Sequence, residues 1–414
     1  MRRTAGRLVV AALAVAAPAR AQPPTPAQPF KKAGEQTLDF RGPGRDAPEP
    51  DVSEVVLGWF GPGDPDHPEF GDFWRGATLA LEQENAAGGY RGKPLRLVAA
   101  WSESPWQAGI LGVTRLVYDR GAWAVIGGVD GTTTHLAVQL ALKSYFLLLS
   151  PGSTDVTADL ANVPWLFSLP PSDERLAPVL AEAIGAATGK ACFTVVSATD
   201  HDSHAALVSL RRALAARRLA PAALVELSGD QPELPAVAAR LLEPGPSAVA
   251  VLAGSRLSAG VVKALRAAGY HGAIVGGSSA ARKAFARVAG AAADDVQAPR
   301  WLDTTSPAWR AFADPYAQRW SGDPDWAAAD GYDAVRLVVA AIRSAGLNRP
   351  RIRDAVRVLA PYIGASGLIR WNALGRHEPG VVGMGVWRNG RLIATPAARQ
   401  TVPGPIEEVP SPRH

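Results

Sequence analysis

Two short apolar runs each end in a cluster of small and hydroxyl residues. Trp123-Ala-Val-Ile126 leads into Gly127-Gly128-Val129-Asp130-Gly131-Thr132-Thr133-Thr134, and Tyr145-Phe-Leu-Leu-Leu149 leads into Ser150-Pro-Gly-Ser-Thr-Asp155. Runs of this length and β-branched or aromatic content suit strands buried on both faces of a parallel sheet. Between them Leu136, Ala137, Leu140 and Ala141 recur at helical spacing, with Lys143 in the last turn, where the helix dipole favours a cation. Strand, polar loop, helix, strand, polar loop leaves few folds open. Open α/β sheets bind ligands beyond the carboxyl ends of their strands, where helix N–H groups and loop hydroxyls converge. These loops are therefore predicted to form half of a small-ligand site, with Asp130, Thr132, Thr133, Ser153 and Thr154 as its side chains.

The alternation extends in both directions. A strand is predicted over 54–59, followed by a helix with Phe70, Phe73, Trp74, Ala77 and Leu81 on one face that stops at Gly88-Gly89. Another strand over 95–101 precedes a helix marked by Trp106, Ile110, Val113 and Val117. After a Pro-rich crossover over 162–171 a second series begins. Its first helix opens at Ser172-Asp173-Glu174, and strands are predicted over 192–197, 223–227, 248–252 and 273–275. A long helix over 326–345 follows, then short strands over 367–371 and 383–393, the latter turning at Arg388-Asn389-Gly390, a tight-hairpin signal.

With 414 residues the chain has room for two such units. Its start reads as a secretory signal peptide over 1–21: Arg2-Arg3 and Arg7, an apolar run over 8–17, then Ala19-Arg20-Ala21 as the cleavage site, cut after Ala21. Four of the charges behind the formal +5 are leader arginines (Arg2, Arg3, Arg7, Arg20), so the remainder carries +1 and offers no basic stripe for nucleic acid. No later apolar run reaches the ~18 residues of a membrane span. The single cysteine, Cys192, forms no internal disulfide. Residues 22–52 read as a Pro-rich linker and 396–414 as a tail, and the expected compartment is the periplasm.

The chain resembles the type I periplasmic ligand-binding proteins, specifically the substrate-binding subunits of branched-chain amino-acid-type ABC transporters. The matching segments are Arg75-Gly-Ala-Thr-Leu-Ala-Leu-Glu-Gln-Glu-Asn-Ala-Ala-Gly-Gly-Tyr-Arg-Gly-Lys-Pro94, Val125-Ile-Gly-Gly128, Leu149-Ser-Pro-Gly-Ser-Thr154, Gly331-Tyr-Asp-Ala-Val335 and the terminal Gly367-Leu-Ile-Arg-Trp371 and Val386-Trp-Arg-Asn-Gly390. The resemblance implies two Rossmann-like α/β lobes with parallel sheets, joined by three crossovers and closing on a ligand. Lobe 1 would comprise 53–170 and 300–362, lobe 2 171–299 and 363–395.

It also implies that hydroxyls and N–H groups after the third and fourth strands hold a ligand carboxylate, and Thr132, Thr133, Ser153 and Thr154 match those loops. Gly131 stands where a serine is usual. On the far lobe, relatives place a tyrosine in an Asp-x-x-Tyr-Gly-like loop, where this chain has Thr199-Asp-His-Asp-Ser-His204 with Asp202 at the tyrosine position. The acid that would pair an α-ammonium falls near Gly277-Ser278, where no carboxylate stands. A buried ammonium without its anion costs several kcal/mol, so the expected ligand is not an ordinary branched-chain amino acid.

Each remaining candidate has a plainer reading beside it. Asp64, Asp66, His67 and Glu69 either line the mouth of the site or sit solvated on a Pro-stiffened loop. His201 and Asp202 either touch ligand or begin a helix; Asp200–His204 offers oxygen and imidazole donors for a divalent cation, but no established metal spacing is present, and no metal is assigned. Trp59 and Trp101, at strand ends, would stack on a flat or cationic ligand, whereas Trp74, Trp123, Trp326 and Trp371 read as core. Ser255, Arg256 and Ser278 follow lobe 2 strands, and Arg256 would pair a ligand carboxylate.

The expected function is that of a monomeric periplasmic receptor, delivering a small polar ligand (amino-acid-like, amide or organic acid) to an inner-membrane ABC permease. No cofactor, nucleic acid, membrane insertion or catalysis is expected. The alternative is a sensor presenting its ligand to a membrane receptor. An esterase-like enzyme ranks lower: Gly276-Gly-Ser-Ser-Ala280 resembles a nucleophile elbow, but alanine replaces its last glycine.

Overall fold

The computed structural model describes residues 44–395 except 104, 105, 107, 108, 160–162, 190 and 229–232. The predicted signal peptide with its cleavage site, the linker up to residue 43 and the tail 396–414 lie outside the described residues. The described end of the linker is tied down rather than loose. Tyr90 Oη donates to Glu49, Lys93 to Asp51, and Asn348 Nδ2 to the Gly44 carbonyl.

The first lobe is built on a five-stranded sheet. Its strands β1 (Val55–Phe60), β2 (Leu95–Ala100), β3 (Ala124–Gly127), β4 (Leu147–Ser150) and β5 (Leu166–Ser168) stand in the order β2-β1-β3-β4-β5, all parallel. Helices α1 (Gly71–Ala86), α2 (Ile110–Tyr118) and α3 (Gly131–Ser144) connect them. The strands β1, β3 and β4 are buried along their whole length, which explains why they read as unbroken apolar runs. Trp106 and Gly109 already stand in a wider helical turn ahead of α2, whose regular α-helix begins at Ile110, and Trp106 is 65% exposed.

The second lobe repeats the plan. Helix α4 (Asp173–Thr188) leads into β6 (Phe193–Ala198), α5 (His201–Ala216), β7 (Ala223–Leu227), α6 (Leu234–Leu242), β8 (Ala248–Leu252), α7 (Ser255–Ala267), β9 (Ala273–Gly276), α8 (Lys283–Ala289) and β10 (Val296–Arg300). The parallel order β7-β6-β8-β9-β10 matches the first sheet strand for strand. The chain then crosses back to α9 (Pro307–Trp320), α10 (Trp326–Ala345) and α11 (Arg349–Val358), where α10 packs along α1. A small hairpin follows, β11 (Tyr362–Gly364) with β12 (Gly367–Ile369). Strands β13 (Gly383–Arg388) and β14 (Arg391–Ala394) extend the second sheet antiparallel beyond β10. Their turn is the predicted one: Asn389 and Gly390 take φ of 47° and 71°, the left-handed pair that a two-residue hairpin requires.

Two of the sequence segments that carry the family resemblance turn out to be structural. Helices α1 and α10 approach so closely that a methyl at Gly76 would strike the Ala328 carbonyl, and one at Gly331 the Phe73 carbonyl. Asp333, fully buried, accepts from Ala365 N (2.7 Å), Ser366 N (2.7 Å) and Ser366 Oγ (2.6 Å), and so holds the turn of the small hairpin against α10.

Candidate functional site

A cavity of about 250 Å³ lies between the lobes at the carboxyl ends of both sheets. The matched strand orders put the reversal point of each sheet, β1/β3 and β6/β8, on the same gap. Loops after β3, β4, β6, β8 and β9 reach it, joined by Glu69 and Phe70 ahead of α1 and by Trp326 at the start of α10.

Helix N-termini facing such a gap present free N–H groups that attract anions. Here two of them are served by a carboxylate from the opposite lobe. Asp202 on α5 accepts from Gly131 N, the first residue of α3, at 2.7 Å. Glu69 accepts from Ser255 N at 2.8 Å and Arg256 N at 3.2 Å, the first residues of α7. The first contact accounts for two departures from the family pattern at once. A Cβ at position 131 would lie 2.6 Å from Asp202 Oδ1, so the glycine leaves the space that the aspartate fills.

The two carboxylates sit in different electrostatic settings. Glu69 lies 3.5 Å from the buried guanidinium of Arg282, which stacks over Phe73 and Trp326 at 4.8 and 5.8 Å from their ring centres. Asp202 shares its end of the cavity with Asp130, Asp173 and Asp200. Burial and then the neighbouring Asp130 push its pKa up to about 7. Burial also raises Asp130, although Thr133 bonds to its carboxylate work against this. Asp173 is held well above the ordinary carboxylate range by burial and by Asp202. Carboxylates confined this way resist ionisation until a cation joins them.

The predicted site residues divide sharply. Asp130, Thr132, Thr154, Asp202 and Ser278 line the cavity. Much of the expected hydroxyl cradle is instead spent within lobe 1. Thr133 is fully buried and completes the capping box of α3 with Asp130, and Thr154 Oγ1 donates to Asp173 at 3.1 Å. Ser153 is buried; its N–H donates to Ser150 Oγ, and its own hydroxyl has no partner among the described residues. His201 points away from the cavity lining toward Asp155, 2.7 Å distant.

Other expectations need correction. Trp59 is wholly inside the lobe 1 core, its Nε1 donating to the Pro62 carbonyl, because the side chain falls on the core face of β1. Trp101 packs on Phe60 and Phe70 and donates to Glu103, outside the lining. Ser255 Oγ donates to the Ser279 carbonyl, and Arg256 meets Glu69 through its backbone, with its side chain outside the lining. Trp326 is in the core as read, and it also borders the cavity. Of the four candidates in the loop before α1, Glu69 alone lines the cavity: Asp64 caps its own turn at Asp66 N, Asp66 pairs with Arg75, and His67 Nδ1 accepts from Phe70 N. Asp173 and Arg282 were not anticipated, since both belong to the site only through the crossing of lobes.

A family model described as "Periplasmic binding protein" matches residues 63–381. An amino acid binding protein from Pseudomonas aeruginosa is 30% identical over 125 residues; the match spans 30% of this chain and 33% of that relative's length. Among solved structures, the branched-chain amino acid transporter substrate-binding protein LivJ from Streptococcus pneumoniae, in complex with isoleucine, superposes with a TM-score of 0.75 at 23% identity, covering 82% of this chain and 98% of that one. An ABC transporter solute-binding protein from Rhodopseudomonas palustris, in complex with 3,4-dihydroxybenzoic acid, gives 0.73 at 13% identity, covering 83% and 97%. At these identities the structural likenesses establish the fold. No helix among the described residues is long and apolar enough to cross a membrane.

Proposed function

The chain belongs to the periplasmic binding protein family, and from that premise we propose that it is the solute receptor of an ABC transporter whose ligand is a small cation without a carboxylate. The observation that carries this reading is the Asp202–Gly131 contact across the cavity. The N–H group at the start of α3, suited to a ligand's carboxylate, is bonded to the protein's own aspartate. A ligand carboxylate would have to displace Asp202 and then lie beside Asp130 and Asp173. A further carboxylate among acids already held above their ordinary range makes the ionisation of every one of them costlier.

An ammonium or amidinium group reverses the sign. It offers hydrogen-bond donors to Asp173 and Asp202 and lets both ionise without mutual repulsion. The anion absent near Gly277-Ser278 is thereby supplied from α4 and α5. The volume of about 250 Å³ is below the roughly 300–1,000 Å³ of drug-sized pockets, so the ligand is a small molecule. Contacts from both lobes favour the state in which they meet, which couples binding to closure for delivery to a permease.

A thermal-shift screen of small amines, amidines, quaternary ammonium compounds, amino acids and aromatic acids tests the proposal. Stabilisation by cations, and by amino acid amides over the parent acids, is expected. Stabilisation by isoleucine or benzoate with none from the amines would overturn the ligand class.

A further inference from the structure

Beside the cavity, one atom from each of His135, Asp155 and His201 lies within 4.8 Å of the others. His135 is on α3 and Asp155 in the loop after β4, both in lobe 1, whereas His201 is the first residue of α5 in lobe 2. Both imidazoles aim Nε2 at the same oxygen, Asp155 Oδ2, at 2.9 and 2.7 Å. Their rings meet edge to face, with centres 4.9 Å apart and planes at 86°. We propose that His135, Asp155 and His201 form a divalent transition-metal site of the zinc class that bridges the two lobes.

The chemistry of the donors fits. Two imidazole nitrogens and one carboxylate oxygen are a common set for Zn²⁺, with water as the fourth ligand. Ligands about 2.0–2.2 Å from a tetrahedral ion stand about 3.3 Å from one another, so the two histidine–aspartate spacings need to open by only about half an ångström. The second layer is in place as well. Thr157 N donates to Asp155 Oδ1 at 2.7 Å, which leaves Oδ2 toward the imidazoles, while Thr157 Oγ1 stands 2.8 Å from both carboxylate oxygens and 2.9 Å from His135 Nε2. Access is open on one side: the Asp155 side chain is buried, but those of His135 and His201 are 30% and 41% exposed.

A metal here ties the start of α5 to lobe 1, one residue from the Asp202 contact that closes the cavity. Neither its chemistry nor its test depends on the identity of the cavity ligand.

The test uses tag-free protein stripped with a chelator and titrated with Zn²⁺ by calorimetry, and with Co²⁺ to report coordination by its visible absorption. The expected result is saturable binding near one equivalent in the micromolar range or tighter, with the intense bands of four-coordinate cobalt. His135→Ala and His201→Ala should each weaken binding at least about tenfold, whereas His204→Ala, at an exposed neighbour, should leave it unchanged. Asp155→Asn is informative where it folds; the histidine variants decide the matter where it does not. Absence of saturable binding below about a millimolar, or equal affinity in His201→Ala and the parent, would overturn the site. So would a trio whose stability responds to pH but not to metal, which identifies a plain ion pair.

Discussion

The two carboxylates that cross the cavity make the same contact in opposite directions, yet their surroundings differ. Glu69 runs from lobe 1 to the start of α7 and is balanced by Arg282. Asp202 runs from lobe 2 to the start of α3 and stands among acids. One crossing is nearly neutral and closes the wall at the α1 and α10 side. The other gathers acids that ionise together only when a cation joins them, so it favours a cation at one end of the cavity. A shared backbone device thus serves packing in one place and selectivity in the other.

The comparison breaks most visibly at Arg282. Replacement by Met leaves Glu69 without its counter-charge and strips a cation from Phe73 and Trp326, with an expected loss of about 3–5 kcal/mol in denaturant unfolding. Asp202→Asn is the sharper probe of function. The amide oxygen still accepts from Gly131 N, but the charge is gone. Affinity for the cationic ligand should fall by about 1.5–3 kcal/mol in calorimetry, with unfolding stability unchanged or raised.

Next in size is a pH effect from Asp173. Its folded-state pKa is raised, so the free protein loses stability as pH climbs from the ordinary carboxylate range through the raised value. A bound cation favours the ionised form. Affinity should therefore rise across that window by up to about 1.4 kcal/mol per pH unit, with proton release on binding, and Asp173→Asn should flatten the profile. Glu69→Gln should change ligand affinity and charge preference least, although it leaves the buried Arg282 without its counter-charge and so should cost stability on the same scale as Arg282→Met. A Glu69→Gln variant that lost cation selectivity as Asp202→Asn does would erase the distinction between the two crossings.

The fold was legible because its signals are local. Apolar runs of strand length, helical spacing in α10 and the Asn389-Gly390 turn each depend on neighbours in sequence. The interleaving of lobes is not local, and only the resemblance supplied it. The site was legible in part. Asp130, Thr132, Thr154, Asp202 and Ser278 line the cavity because strand ends point there whatever the details. Trp59 was misread because its strand-end position does not tell which face of β1 it takes. His135 gave no signal at all: it looks like one polar residue on a helix, and its partners Asp155 and His201 reach it only through the packing of α3 against the loop after β4 and the start of α5. Glu69 was one of four residues with equal claims, and only the opposing α7 separates it from the others.

The paired glycines of α1 and α10 have a consequence for how this sequence can drift. Gly76 makes room for the Ala328 carbonyl and Gly331 for that of Phe73, so each helix fills a space the other leaves. Neither position has a smaller residue to retreat to, and no second change can compensate a first, since both gaps are filled by backbone. Cavity-lining acids can exchange with one another and retune the ligand. This pair, outside the cavity lining, tolerates no side chain at all.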